Sequence, residues 1–297
     1  MTSLPAEDSF ADLGSGRICY RQDGRSDAPA VVLVAGLGMQ LIEWPEALVT
    51  ALAREFRVIR LDNRDSGRSG RFGGSFTRVP AGFSWSESAP GLAAYDLRDM
   101  ARDVLDLADH LGIDRFACVG FSMGGMIAQI LAVMAPRRVR GVVSLSSTGG
   151  DASITATPES LRLMERFFLP FASETEAACA IRRSNAHFSL GLMPEDSPEN
   201  HQLAAALVWR AADGGGYLRQ ALAITTTRPW RPELLGSQTP MLFLHGDRDP
   251  CIDAVSARQL AAALPRAGFR SHAGLGHWMD ERTGRDCVDW LTALRSG

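Results

Sequence analysis

Gly120-Phe121-Ser122-Met123-Gly124 stands between two apolar runs, Phe116-Ala117-Cys118-Val119 before it and Met126-Ile127-Ala128-Gln129-Ile130-Leu131-Ala132 after it. The first run reads as a buried strand and the second as a helix. A serine at so sharp a strand-to-helix turn is held in strained backbone geometry, with its hydroxyl clear of the sheet. The glycines two places before and after it remove Cβ atoms that would collide there. The helix that follows points backbone N–H groups and its positive dipole end at any oxyanion formed beside the serine. Sequence and context together make this a nucleophile elbow, with Ser122 as nucleophile.

Such a serine needs a base, and the base needs an orienting acid. Pro240-Met241-Leu242-Phe243-Leu244-His245-Gly246 reads as an apolar strand ending in a turn, followed by Asp247-Arg248-Asp249-Pro250. A carboxylate just past a strand's carboxyl end sits where open α/β sheets build their sites. Asp249 is preferred as the acid, because Asp247 occupies the first turn position and is expected to bond the turn's own amides. Phe269-Arg270-Ser271-His272 reads as a last short strand, and Ala273-Gly274-Leu275-Gly276-His277-Trp278 as the loop leaving it. His277, in that Gly-flanked loop, can reach both Ser122 and Asp249, whereas His272 is fixed to one face of its strand. His110 ends a helix, His187 and His201 fall among later helices, and His245 lies at a strand end. All four are expected to be ordinary hydrogen-bonded residues. Acyl transfer also needs oxyanion donors. Met123 N–H is one, and Leu37 N–H is the other, in the loop Ala35-Gly36-Leu37-Gly38-Met39 after the buried strand Ala30-Val31-Val32-Leu33-Val34.

The order Ser122, Asp249, His277 is that of the α/β-hydrolase arrangement. The chain resembles that superfamily over nearly its whole length. Leu61-Asp62-Asn63-Arg64-Asp65-Ser66-Gly67-Arg68-Ser69, taken with Gly120-Phe121-Ser122-Met123-Gly124-Gly125-Met126, resembles the bacterial aclacinomycin-methylesterase-like branch. The resemblance implies a mostly parallel eight-stranded sheet with helices on both faces and a helical cap. It also implies a triad of Ser122, Asp249 and His277, and a structural, ion-paired role for the Asp62–Ser69 segment. Ala35-Gly36 stands where relatives more commonly have His-Gly, which leaves the donating backbone amide in place. Gly38 stands where many cofactor-free perhydrolases carry proline.

The remaining chain bounds this reading. With 297 residues and 45% apolar content, a large single core can form. A net charge of −3 without a basic run argues against nucleic acid as a partner. The N-terminal segment has no basic and apolar signal pattern, and apolar runs fall far below the ~20 residues of a membrane span. A cytoplasmic protein is expected. The five cysteines are scattered and show neither disulfide nor zinc-ligand spacing; with no phosphate loop or metal motif in the chain, and a triad that needs none, no metal and no cofactor are expected. A helical stripe runs from Leu92 to Leu111 and stops at Gly112. Strand signals vanish between Thr148 and Trp230, dividing the chain into core (1–148), helical cap (149–232) and core again (233–297). Met164, Phe167, Phe168, Phe188 and Trp209 are the expected pocket residues.

The expected activity is hydrolysis of a small-molecule carboxylic ester through an acyl-enzyme. The alternatives are the same triad acting on a lactone, a carbon–carbon bond or a peracid-forming exchange, and a low-turnover ligand-binding homologue.

Overall fold

The computed structural model describes residues 7–85, 91–151, 155–210 and 215–296. Eight strands form one sheet: β1 (Ser9–Leu13), β2 (Gly16–Asp23), β3 (Ala30–Val34), β4 (Arg57–Leu61), β5 (Phe116–Phe121), β6 (Val139–Leu145), β7 (Met241–Gly246) and β8 (Ala267–His272). Their order is β1-β2-β4-β3-β5-β6-β7-β8. The β1–β2 and β2–β4 pairings are antiparallel, and all the others are parallel. β3 is buried throughout. Its alternate residues enter different cores, Val32 and Val34 on one face and Val31 and Leu33 on the other. That is the period-2 geometry of a strand covered on both sides.

Helices α1 (Glu46–Ala53) and α10 (Glu281–Ser296) belong to one face, where Leu48, Leu52, Cys287 and Leu291 join the Val31 core. Helices α2 (Leu97–His110), α3 (Met123–Met134) and α9 (Ala254–Ala263) pack on the other. α2 begins five residues later than the apolar stripe predicts. Asp96 takes the N-cap, accepting from Arg98 N and Asp99 N, while the Asp99 side chain returns to Asp96 N. This reciprocal cap fixes the helix start more strongly than the apolar residues upstream. Gly112, at φ +66°, ends the helix as expected.

Five helices, α4 (Pro158–Glu165), α5 (Glu174–Phe188), α6 (Pro198–Arg210), α7 (Gly216–Thr226) and α8 (Arg231–Leu234), lie between β6 and β7. Trp230, fully buried, ties this insertion to the core by donating its indole N–H to Gln129 Oε1 at 2.9 Å. Among the described residues no helix is long and apolar enough to cross a membrane.

Because β3, β5, β7 and β8 run parallel, the loops after them open on one edge of the sheet. Leu37, Ser122, Asp249 and His277 lie in those four loops. The sheet therefore assembles in space what the sequence scatters over 240 residues.

Candidate active site

Ser122 sits at φ 55°, ψ −118°, a conformation a non-glycine residue holds only under constraint from its surroundings. Its N–H donates to Leu145 O at 2.8 Å, and its carbonyl accepts from Ser147 Oγ at 2.8 Å. The two glycines of the turn have separate reasons. A Cβ on Gly120 would stand 2.0 Å from Gly124 O, and one on Gly124 would stand 1.9 Å from Val34 O. The sharp turn thus depends on bare backbone at both places.

Asp249, not Asp247, meets His277: Nδ1 of the imidazole lies 2.8 Å from Asp249 Oδ2. A carboxylate only accepts, so Nδ1 carries the hydrogen and Nε2 keeps its lone pair. Asp249 Oδ1 accepts from Cys251 N at 2.8 Å and Ile252 N at 2.9 Å. Burial alone would raise the Asp249 carboxyl, but the charge of His277 and the hydrogen bonds from His245 and His277 hold it well below the usual carboxylate range. Asp247 does not bond its own turn as expected; its Oδ1 accepts from Gly274 N at 2.6 Å, bracing the His277 loop instead. Ser122 and His277 line one cavity of about 870 Å³. The Phe121 ring lies 4.9 Å from the His277 ring, beside the elbow.

Leu37 follows β3 in a turn closed by Met39 N donating to Gly36 O at 3.2 Å, with Gly38 at φ +69°. A Cβ on Gly36 would stand 3.3 Å from the Ser122 Cβ, so this turn abuts Ser122. Gly38 N is taken by Gln220 Oε1 at 2.7 Å. Leu37 N and Met123 N have no acceptor among the described residues; the latter is the first residue of α3, where helices leave N–H groups unpaired.

Of the five expected pocket residues, Met164, Phe167 and Phe188 line the cavity. The Phe188 ring lies 6.0 Å from His277, and Phe167 stacks on Tyr217 with centroids 5.4 Å apart. Phe168 and Trp209 require correction. Phe168 is 2% exposed and turned away from the cavity into a satellite core, 4.9 Å from Phe83 and 5.4 Å from Trp85. Its neighbour Phe167 takes the cavity side. Trp209 is 74% exposed, with the Arg68 guanidinium over its ring at 4.3 Å. α6 buries Ala204, Leu207 and Arg210 on one face, and that spacing points Trp209 outward.

Sequence reasoning left four contributors unassigned. Tyr217 lines the cavity from α7, and Glu43 lines it from the short turn after the Leu37 loop. Cys251 also faces it, its thiol pushed up by burial and by the Asp249 charge. His245, set aside as a strand-end residue, lies 3.2 Å from Asp249 Oδ2. Among the described residues no group of three or more His, Cys, Asp or Glu side chains is placed to hold a metal ion.

The Asp62–Ser69 segment is a buried ion-pair hub, as expected: Arg64 pairs with Asp103 on α2 and Arg68 with Asp8, while its two carboxylates take partners from the inserted helices. Arg210 pairs with Asp62 at 2.7 Å and Arg219 with Asp65 at 2.8 Å.

The chain is 28% identical over 232 residues to 3-oxoadipate enol-lactonase 2 of Acinetobacter baylyi, spanning 78% of this chain and 75% of that one. It is 26% identical over 277 residues to rhodomycin D methylesterase DauP of a Streptomyces strain, spanning 85% of each. The fold superposes on a hydrolase from Pseudomonas aeruginosa with a TM-score of 0.75 at 23% identity, covering 99% of this chain and 100% of that one. Residues 29–279 match the family described by the alpha/beta hydrolase fold, and the chain belongs to that family.

Proposed function

We propose that this hydrolase cleaves a carboxylic ester through an acyl-enzyme formed on Ser122. The observation that carries the reading is the 2.8 Å contact between His277 Nδ1 and Asp249 Oδ2, on a histidine that shares its cavity with Ser122. His277 Nε2 takes the Ser122 hydroxyl proton as Oγ attacks the ester carbonyl. The N–H groups of Leu37 and Met123 receive the oxyanion, and Asp249 stabilises the imidazolium. Collapse expels the alcohol, protonated by His277. A water deprotonated by the same nitrogen then releases the acid. The cycle balances with ester and water alone.

Residues 149–232 act as the cap, and Met164, Phe167 and Phe188 form an apolar wall for the acyl or alcohol group. Similarity to a protein named as a methylesterase supports an ester of a small alcohol. A second reading, a lactone, is favoured by similarity to an enol-lactonase; it uses the same steps with acid and alcohol in one molecule.

The test combines labelling and kinetics. An active-site phosphonate should label Ser122 stoichiometrically, and Ser122→Ala should lower hydrolysis of p-nitrophenyl acetate by ~10³-fold or more. A Ser122→Ala protein as fast as the parent would overturn the reading. A panel of methyl, aryl and lactone substrates then separates ester from lactone.

A further inference from the structure

His245 is the penultimate residue of β7, 2% exposed, and its Nε2 lies 2.8 Å from Ile252 O. A carbonyl oxygen only accepts, so this nitrogen carries a hydrogen. The same nitrogen lies 3.2 Å from Asp249 Oδ2, so its one hydrogen is shared between the Ile252 carbonyl and that carboxylate. That oxygen therefore meets two imidazoles, from His245 and His277, while Oδ1 meets the two amides of Cys251 and Ile252. The side chains of His245 and Asp249 are 1% and 2% exposed, where hydrogen bonds act at low dielectric. The other titratable side chains nearby are Cys251 and Asp247 on the same loop, Tyr217 on α7, and His187 on α5. His187 reaches Pro250 O through Ser160 Oγ. None of these four side chains bonds the carboxylate among the described residues.

We propose that His245 is a positioning residue: its Nε2–H shares Asp249 Oδ2 with His277, fixing the carboxylate and tempering the negative charge it presents to the base. The inference rests on the Ser122–His277–Asp249 reading above. Its consequence has a definite sign. A donor on Oδ2 withdraws charge from that oxygen, so the His277 imidazolium is stabilised less than by an unshared carboxylate. Removing the donor strengthens the hold on the imidazolium, and His277 then becomes a free base only at higher pH. The carboxylate also loses one of the bonds that aim it.

Two substitutions separate this role from packing. His245→Leu fills the space without a donor; His245→Gln keeps an N–H at about the reach of Nε2. For His245→Leu, the acid limb of kcat/KM on an aryl acetate should move up by roughly half a pH unit or more, with kcat down about tenfold and KM little changed. His245→Gln should return both toward the parent. A parent-like acid limb in His245→Leu, or no rescue by Gln, would overturn the proposal. If the Leu variant does not fold, nitrogen NMR of the Ser122→Ala protein decides alone. The proposal requires His245 as the Nε2–H tautomer with a scalar or exchange signature of contact to Asp249, and an Nδ1–H tautomer ends it. The NMR readout needs no turnover. An inactive parent enzyme would therefore sink the esterase reading, whereas an active parent with unmoved variants would sink only the role of His245.

Discussion

Arg210, the last residue of α6, places Nη2 2.7 Å from Oδ2 of Asp62, a carboxylate with no exposed side-chain surface just past β4. The same guanidinium pairs with Asp8 and donates from Nε to Gln40 Oε1 at 3.2 Å. One side chain of the insertion thus bridges two buried acids of the core. Burial raises the Asp62 carboxyl above its ordinary value, and the charge of Arg210 is the largest influence restraining it.

Arg210→Met should therefore be costly, because it leaves the buried Asp62 carboxylate without its cation, whereas Asp8 keeps Arg21 and Arg68. A loss of about 3–5 kcal/mol is expected for breaking a buried pair from one side. The sign with pH is fixed. Without Arg210, the folded Asp62 carboxyl rises further above its unfolded value, so stability persists at low pH and is lost as pH rises. Urea unfolding should show a larger deficit near about pH 8.5 than near about pH 5. An equal deficit at both would assign the role of Arg210 to packing.

Glu43 gives a second pH-dependent prediction. Its Oε2 accepts from Gln40 N at 2.6 Å, and the residue lines the cavity. Burial, opposed by the Gln40 N–H and reinforced by the Asp62 charge, pushes the carboxyl up from 4.5 to about 7. The folded form is thus favoured while Glu43 is protonated, fully below the unfolded value, and that advantage is lost as pH rises through about 7. Glu43→Gln keeps the acceptor and removes the titration. It should match the parent near about pH 4.5 and exceed it near about pH 8.5 by up to ~3 kcal/mol. Urea midpoints across that range check it.

The elbow was legible because Gly120 and Gly124 answer to contacts a few residues away or on the adjacent strand, and because the flanking runs are long and apolar. The loops holding Asp249 and His277 were legible for the same reason: each follows a strand with a strong local pattern. Contacts across long sequence separations were not. Nothing near Trp209 reveals that Leu207 and Arg210 claim the buried face of α6, and nothing near His245 reveals that the loop after β7 folds back over it. The late start of α2 was readable in Asp96 and Asp99, but the apolar stripe outweighed that cap. Asp247 and Asp249 exchanged one expected feature: Asp249 holds its own loop's amides and His277 together.

That exchange makes the two acids separable. Asp249→Asn should fold, with kcat down by up to ~10⁴-fold, because an amide beside Nδ1 favours the wrong His277 tautomer. Asp247→Asn keeps an acceptor for Gly274 N but turns that 2.6 Å charge-assisted bond into a neutral one, and should cost mainly stability, on the order of 1 kcal/mol. Steady-state kinetics and thermal unfolding of both proteins distinguish the roles. Activity lost at Asp247 and kept at Asp249 would reassign the acid.

The Leu37 turn sets the last expectation, which concerns the size of the leaving alcohol. Gly36 abuts Phe121 and Ser122, each within 3.3 Å of where its Cβ would stand. Gly38 is pressed against Tyr217, whose Cδ2 would lie 2.4 Å from an added Cβ, and Gln220 holds its N–H at 2.7 Å. The turn is fastened at both ends, so the Leu37 backbone and side chain form a fixed wall beside Ser122. A methyl or aryl ester brings a flat or small group to that wall. A tert-butyl ester brings three methyl groups to the same place, and relief would require Gly38 and Tyr217 to separate. A few kcal/mol of lost transition-state binding corresponds to roughly 10²-fold in kcat/KM. Methyl and tert-butyl esters of one acid should differ by that order, and Leu37→Ala should narrow the gap while leaving the donating N–H in place. Equal kcat/KM values for the two esters in the parent would mean that the turn yields to the substrate, and the wall would have to be sought among Met164, Phe167 and Phe188.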